Sequence, residues 1–104
     1  RNEKGETRLH TACINGNLKQ VCSLLQKNHP TNVRDFCGWT PLHEAANHGF
    51  ADIVEALIDH GANVNDRGGE GCGGITPLHD ACACGNSDVI RVLLNKGADA
   101  DLKD

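Results

Sequence analysis

The chain is 104 residues long with a net charge of −4 and a sequence pI of about 5.8. That is enough for one small domain, and the wrong sign for nucleic acid or an anionic membrane; a basic partner is favoured instead. Aromatic residues make up 3% of it, with one Trp, two Phe and no Tyr, which excludes a core built on large rings and leaves thin layers of Leu, Ile, Val and Ala.

No apolar run approaches the roughly 18 to 20 residues of a membrane span, and Arg1-Asn2-Glu3-Lys4 does not read as a secretory signal. The domain is therefore expected inside the cell, with its six cysteines as thiols.

Thr7-Arg8-Leu9-His10-Thr11-Ala12 opens the first of three related units. Thr40-Pro41-Leu42-His43-Glu44-Ala45 opens the second 33 residues later, and Thr76-Pro77-Leu78-His79-Asp80-Ala81 opens the third after a further 36. Each Thr is the expected N-cap of a short helix, with Pro41 and Pro77 at the first helical position, where a missing N–H costs nothing. Gly16, Gly49 and Gly85, nine residues after each Thr, permit the left-handed turn that ends it.

An apolar pair follows in each unit (Val21 and Cys22, Ile53 and Val54, Val89 and Ile90), then a second pair (Leu24-Leu25, Leu57-Ile58, Leu93-Leu94). This three- to four-residue spacing marks an amphipathic second helix. In the second unit it runs through Ile53 to Ile58 and stops at Gly61, after which Asn63-Val64-Asn65-Asp66 lead into an extended hairpin loop. A unit with apolar residues on both sides cannot bury them alone, so the copies must stack.

The period and the Thr-Pro-Leu-His-x-Ala signature resemble the ankyrin repeat over practically the entire chain. The resemblance implies an all-α ankyrin repeat solenoid: three stacked helix-turn-helix units with hairpin fingers, at about 5–37, 38–73 and 74–104 of a single domain spanning 1–104. It also implies that His10, His43 and His79 bond the backbone of adjacent repeats. Three departures stand out. Arg8 replaces Pro, Asn28-His29-Pro30 replaces Gly-Ala and predicts an irregular end to the second helix of repeat one, and residues 67–74 hold a glycine-rich excess that enlarges the third finger.

In stacked ankyrin units the fingers and first helices build the concave surface. Spacing of i, i+3 and i+4 assigns to it Thr11, Ile14 and Asn15; Glu44, Asn47 and His48; and Asp80, Ala83 and Cys84, bordered by Glu6, Asp35, Phe36, Cys37 and Trp39. Glu6, Asp35, Glu44 and Asp80 make this groove acidic. Asp35, Trp39, Glu44 and Asn47 read as side chains the repeat signature does not demand. An extended cationic peptide suits such a surface, through charge-assisted hydrogen bonds of roughly 1.5 to 3 kcal/mol each.

Three segments carry a closer resemblance: Gly5-Glu6-Thr7, Arg34 through Ala45, and Gly68-Gly69-Glu70-Gly71-Cys72-Gly73-Gly74-Ile75 through Ala81. They look like the ankyrin domain of Tonsoku-like proteins, which act in replication-fork and double-strand-break repair. The first two also resemble the BRCA-associated RING-domain ubiquitin ligase subunit, which lacks the glycine-rich insertion. Both families bind the histone H4 tail when one of its lysines is unmethylated, as on newly replicated chromatin.

The resemblance implies that Glu6, Asp35 and Glu44 surround that lysine and that Trp39, Glu44, Asn47 and Asp80 enclose a nearby tail histidine. Cys37, His43, His48, Gly71 and Cys84 would line the rest. Phe36 and His48 stand where Tyr is expected in that family, so no phenolic hydroxyl is available there. The implied protein is a nuclear, non-catalytic reader without cofactor. It contacts no nucleic acid or membrane directly, and other repair proteins reach it through domains outside this fragment. A generic ankyrin scaffold for an unrelated partner is the alternative.

Zinc held by Cys82-x-Cys84 with Cys72 and His79 is disfavoured, because residues two apart on a helix diverge and Cys82 is expected in the core. Nothing resembles an activated nucleophile. Asn32 and Asn65 resemble the asparagines hydroxylated in ankyrin proteins.

Overall fold

In the computed structural model of the protein, residues 3–69 and 73–98 are described. Six α-helices run in order: α1 (Arg8–Asn15), α2 (Leu18–Gln26), α3 (Pro41–His48), α4 (Ala51–Asp59), α5 (Pro77–Cys84) and α6 (Ser87–Asn95). No strand forms among the described residues, and no helix there is long and apolar enough to cross a membrane.

The three motif threonines begin α1, α3 and α5 in the same way. Each hydroxyl accepts from the N–H of the histidine three residues on, and that histidine's Nδ1 accepts from the threonine N–H. This is a reciprocal capping box with imidazole in place of the usual carboxylate. Because Nδ1 accepts, the proton sits on Nε2, which donates to the carbonyl of the next finger: His10 to Trp39 O and His43 to Ile75 O, both at 2.8 Å. One imidazole thus starts its own helix and ties its repeat to the following one. Burial holds His43 below the ordinary histidine pKa, consistent with a neutral ring.

The first helices pack side by side, α1 on α3 and α3 on α5, and the second helices form the parallel row α2, α4, α6. Between the rows lie Leu9, Leu42, Ile53, Leu57 and Leu93, each at most 1% exposed, with Val21, Val54 and Val89 at 0%. Each such side chain contributes about 1.5 to 3 kcal/mol. Small residues let the first helices approach: Ala12, Ala45 and Ala81 are all buried.

Phe50 at the N-cap of α4 forms no side-chain cap; its ring lies over Gly16, where a Cβ would sit 2.7 Å from the ring. Asn86 caps α6 and lies in the same way against Gly49, whose φ is +81°. Gly16 and Gly49 therefore serve stacking as well as the turn.

Two expectations are corrected. The end of α2 is regular: Asn28 adopts φ +62°, and His29 N–H donates to Leu24 O at 3.1 Å. Ala62 to Leu57 O and Ala98 to Leu93 O repeat that bond after Gly61 and Gly97. Asn is the residue other than Gly that most readily takes the left-handed turn. Cys82 is exposed rather than core. Its counterparts Cys13 and Ala46 are both 0% exposed, covered by the repeat that follows, whereas no described repeat follows α5 and α6.

Candidate functional site

The site is assembled where the fingers meet the row of first helices. Finger 2 turns tightly, with Asp35 N–H donating to Trp39 O at 2.9 Å and Gly38 N–H to Asp35 O at 3.0 Å. The Asp35 Oδ1 accepts from the N–H groups of Cys37 and Trp39, each at 2.9 Å, and the residue is 8% exposed. The expectation that the fold does not demand Asp35 is therefore corrected: its carboxylate closes the turn that presents Cys37 and Trp39.

Neighbouring fingers lock this turn in place. Phe36 N–H donates to Lys4 O and Gly69 N–H to Gly38 O, both at 2.8 Å. Gly69 lies so close that a Cβ there would be 2.7 Å from Gly38 Cα. Arg34 reaches finger 3 and forks onto Asp66 at 2.9 and 3.1 Å, while Asp66 Oδ1 also accepts from Gly68 N–H at 2.7 Å. The repeat signature does not reveal this ion pair, because Arg34 and Asp66 stand 32 residues apart, one short of the 33-residue period.

Three carboxylates from different chain segments converge on the concave side. One oxygen each of Glu6, Asp35 and Glu44 lies within 4.8 Å of the others. A single ammonium with three donors matches their number. Glu44, in the first turn of α3, is half-buried. Burial raises its pKa, the charge of His48 opposes this, and the charges of Asp35, Glu6 and Asp80 raise it further. His48 Nδ1 is 2.9 Å from Glu44 O and 3.9 Å from its carboxylate, and the imidazole stacks on Phe50 at 6.1 Å.

Beside the triad is a cavity of about 170 Å³ lined by Trp39, His43, Glu44, Asn47 and Asp80. The Trp39 indole lies 5.1 Å from the His43 ring, tilted by 58°, and forms the apolar wall. Asn47 is positioned from α5: Cys84 Sγ stands 3.4 Å from both its backbone O and its Oδ1. Asp80 closes the far side, its pKa pushed up to about 6 by burial and held back by His79. The lining contains two acids, an amide and two rings, and no Lys or Arg.

The sequence-derived residues Trp39, His43, Glu44, Asn47 and Asp80 are thus brought together, Glu6 and Asp35 adjoin them, and Cys84 and His48 buttress them. Cys37 is exposed on the finger. Gly71 and Cys72 lie outside the described residues. Asn32 and Asn65 bridge turns away from the groove: Asn32 Nδ2 donates to Gly61 O and its Oδ1 accepts from Asn63 N–H, and Asn65 Nδ2 donates to Gly97 O. Their 33-residue offset was the signal for that shared role.

Comparison with known proteins places this geometry in context. The family pattern of ankyrin repeats, in three copies, matches residues 9–104. The Tonsoku-like protein of Bos taurus is 57% identical over 75 residues, 72% of this chain and 6% of the relative. That of Danio rerio is 61% identical over 74 residues, 71% of this chain and 5% of the relative. The SMC5-SMC6 complex localization factor protein 1 of Homo sapiens is 43% identical over 65 residues, 62% of this chain and 6% of the relative. The chain spans 5 to 6% of the length of these relatives.

Proposed function

Because the chain belongs to the ankyrin-repeat family, whose stacked units offer open grooves for protein partners, we propose that it is a non-catalytic reader of the basic histone H4 tail. It selects a tail lysine that is unmethylated and acts in replication-coupled DNA repair in the nucleus. The names of its Tonsoku-like and SMC5-SMC6 localization relatives support the setting. The observation that carries the reading is the convergence of Glu6, Asp35 and Glu44 within 4.8 Å, next to a cavity walled by Trp39.

An unmodified ammonium brings three N–H donors to three carboxylates. Each methyl group removes a donor and adds bulk, leaving a carboxylate unpaired beside a desolvated cation. Recognition of a methylated lysine would instead ask for several aromatic faces, and the chain has one Trp and two Phe. The adjoining cavity, with acceptors from Glu44 and Asp80 and an amide from Asn47, suits a flat polar side chain such as the tail histidine, stacked against Trp39. Burial first, and then the charges of Asp35, Glu6 and Asp80, raise the Glu44 pKa; seating the cation relieves that repulsion.

Calorimetry with an H4 tail peptide tests the reading. The unmethylated peptide should bind in the micromolar range or tighter and weaken with salt. Mono- and dimethylation of the lysine should weaken it further, and Glu44→Gln should cost more than about 1 kcal/mol. Glu55→Ala, on α4, should change nothing. Equal affinity for methylated and unmethylated peptides refutes selection, and binding indifferent to Glu44→Gln moves the partner to another face.

A further inference from the structure

We propose that Asp80 couples cation binding in this groove to proton release, so that the grip on a basic peptide strengthens between pH 5 and pH 7.5. The inference rests on the reader function above and concerns its regulation. Asp80 sits in the first turn of α5 and forms one side of a cavity whose remaining lining is Trp39, His43, Glu44 and Asn47. Among the described residues no N–H or O–H donates to its carboxylate. An anion placed there is half withdrawn from water with no donor to compensate, a situation that a carboxyl relieves by holding its proton.

The charged and titratable groups around Asp80 offer little counter-charge. From α3 come His43, buried and held neutral, and Glu44, with His48 on its far side. Glu6 and Asp35 converge on Glu44, where their charges act. On α5 itself His79 alone favours the carboxylate, and Cys82 and Cys84 are exposed thiols. From α6, Asp88 and Arg91 are exposed and pair with each other at 4.0 Å. Burial therefore dominates, and the Asp80 carboxyl stands at about 6.

A cationic side chain seated in the cavity beside the triad, the place the reader function gives to the tail histidine, supplies the absent charge and donors. The balanced step is the protonated carboxyl plus the peptide cation giving the ion pair plus one released proton. The proton leaves to solvent and no covalent bond of the peptide changes. With the free carboxyl at about 6, close to half of the molecules carry this proton at pH 6. Binding then releases about half a proton there and almost none at pH 7.5, and affinity falls about tenfold from pH 7.5 to pH 5. Glu44, raised for the same first reason, adds to the release.

The test is calorimetry with an H4 tail peptide whose histidine is replaced by lysine, so that the guest brings a cation to the cavity that Asp80 lines and has no group titrating between pH 5 and 8. At pH 6, two buffers of different ionisation heat report the protons released. Wild type should release about half a proton per peptide, and Asp80→Asn distinctly less. An equal number for the two overturns the coupling alone. No binding of the unsubstituted H4 tail peptide by wild type at pH 7.5 overturns the reader function, and the coupling with it.

Should Asp80→Asn not bind, carbon-13 NMR of the Asp80 carboxyl in wild type decides. Its titration midpoint should drop by at least about one unit on saturation with peptide, and an unmoved midpoint overturns the proposal.

Discussion

Replacing Asp35 separates the two tasks its carboxylate performs. Oδ1 accepts two backbone N–H groups at 2.9 Å in a position 8% exposed, while the residue's charge joins Glu6 and Glu44. Asp35→Ala removes both. Each charge-assisted bond is worth about 1.5 to 3 kcal/mol net, but the Cys37 amide, on an exposed residue, recovers part of its bond from water. The loss is therefore about 2 to 4 kcal/mol. For a domain of this size that corresponds to a fall in Tm of roughly 10 to 20 °C.

Asp35→Asn keeps an acceptor at Oδ1 for both amides. It gives up the charge assistance and relieves repulsion from the two glutamates, so stability should change by less than about 1 kcal/mol. Both variants should lose the H4 peptide, Asp35→Asn with the finger intact. Urea and thermal unfolding followed by circular dichroism, together with peptide titrations, measure the pair. Equal stability of Asp35→Ala and Asp35→Asn would refute the account of the finger, and undiminished binding by Asp35→Asn would remove its charge from the reader.

Asp80 should limit stability as well as serve the groove. Burial raises it from 3.8 to about 6, so the folded state holds the proton more tightly than the unfolded, and stability is lost as pH rises through this window and stays lost above it. The full shift corresponds to about 3 kcal/mol; for a half-exposed group, solvent screening reduces this to about 1 kcal/mol. Asp80→Asn should therefore be about 1 kcal/mol more stable than wild type at pH 7.5 and equal to it near pH 4, as read by urea unfolding at both; an equal gain at the two pH values contradicts the assignment. Cys13, buried and pushed up to about 12, should react with a thiol reagent only on unfolding, whereas Cys37, Cys82 and Cys84 are exposed and should be labelled in the native state. Peptide mapping by mass spectrometry distinguishes them, and native labelling of Cys13 would contradict the stacking of α1 on α3.

The helices were legible because their signals are local. A capping threonine, a proline at the first helical position and a glycine at the end act within one turn, and α1, α3 and α5 lie where those residues require. Asn28 shows the limit of reading by motif, since a consensus expects Gly while the backbone asks only for a residue that tolerates φ +62°. The apolar spacing correctly placed Val21, Val54 and Val89 in the core. The separate expectation that Cys82 lies in the core failed, because burial at that register depends on the neighbouring repeat rather than on the helix itself.

The groove residues were legible as a set, through the position of each in its repeat, but not in their roles. The sequence by itself determined three stacked units and an acidic concave face, since period, capping and charge are properties of the chain. Only the tertiary structure decided that Glu6, Asp35 and Glu44 meet within 4.8 Å, that Asp80 closes a cavity against Trp39, and that Asp35 also holds its own finger. The reason is physical: contacts between repeats depend on how closely the fingers stack, and here that spacing is set by glycines such as Gly69 against Gly38 and by imidazoles bonding the next repeat's carbonyls.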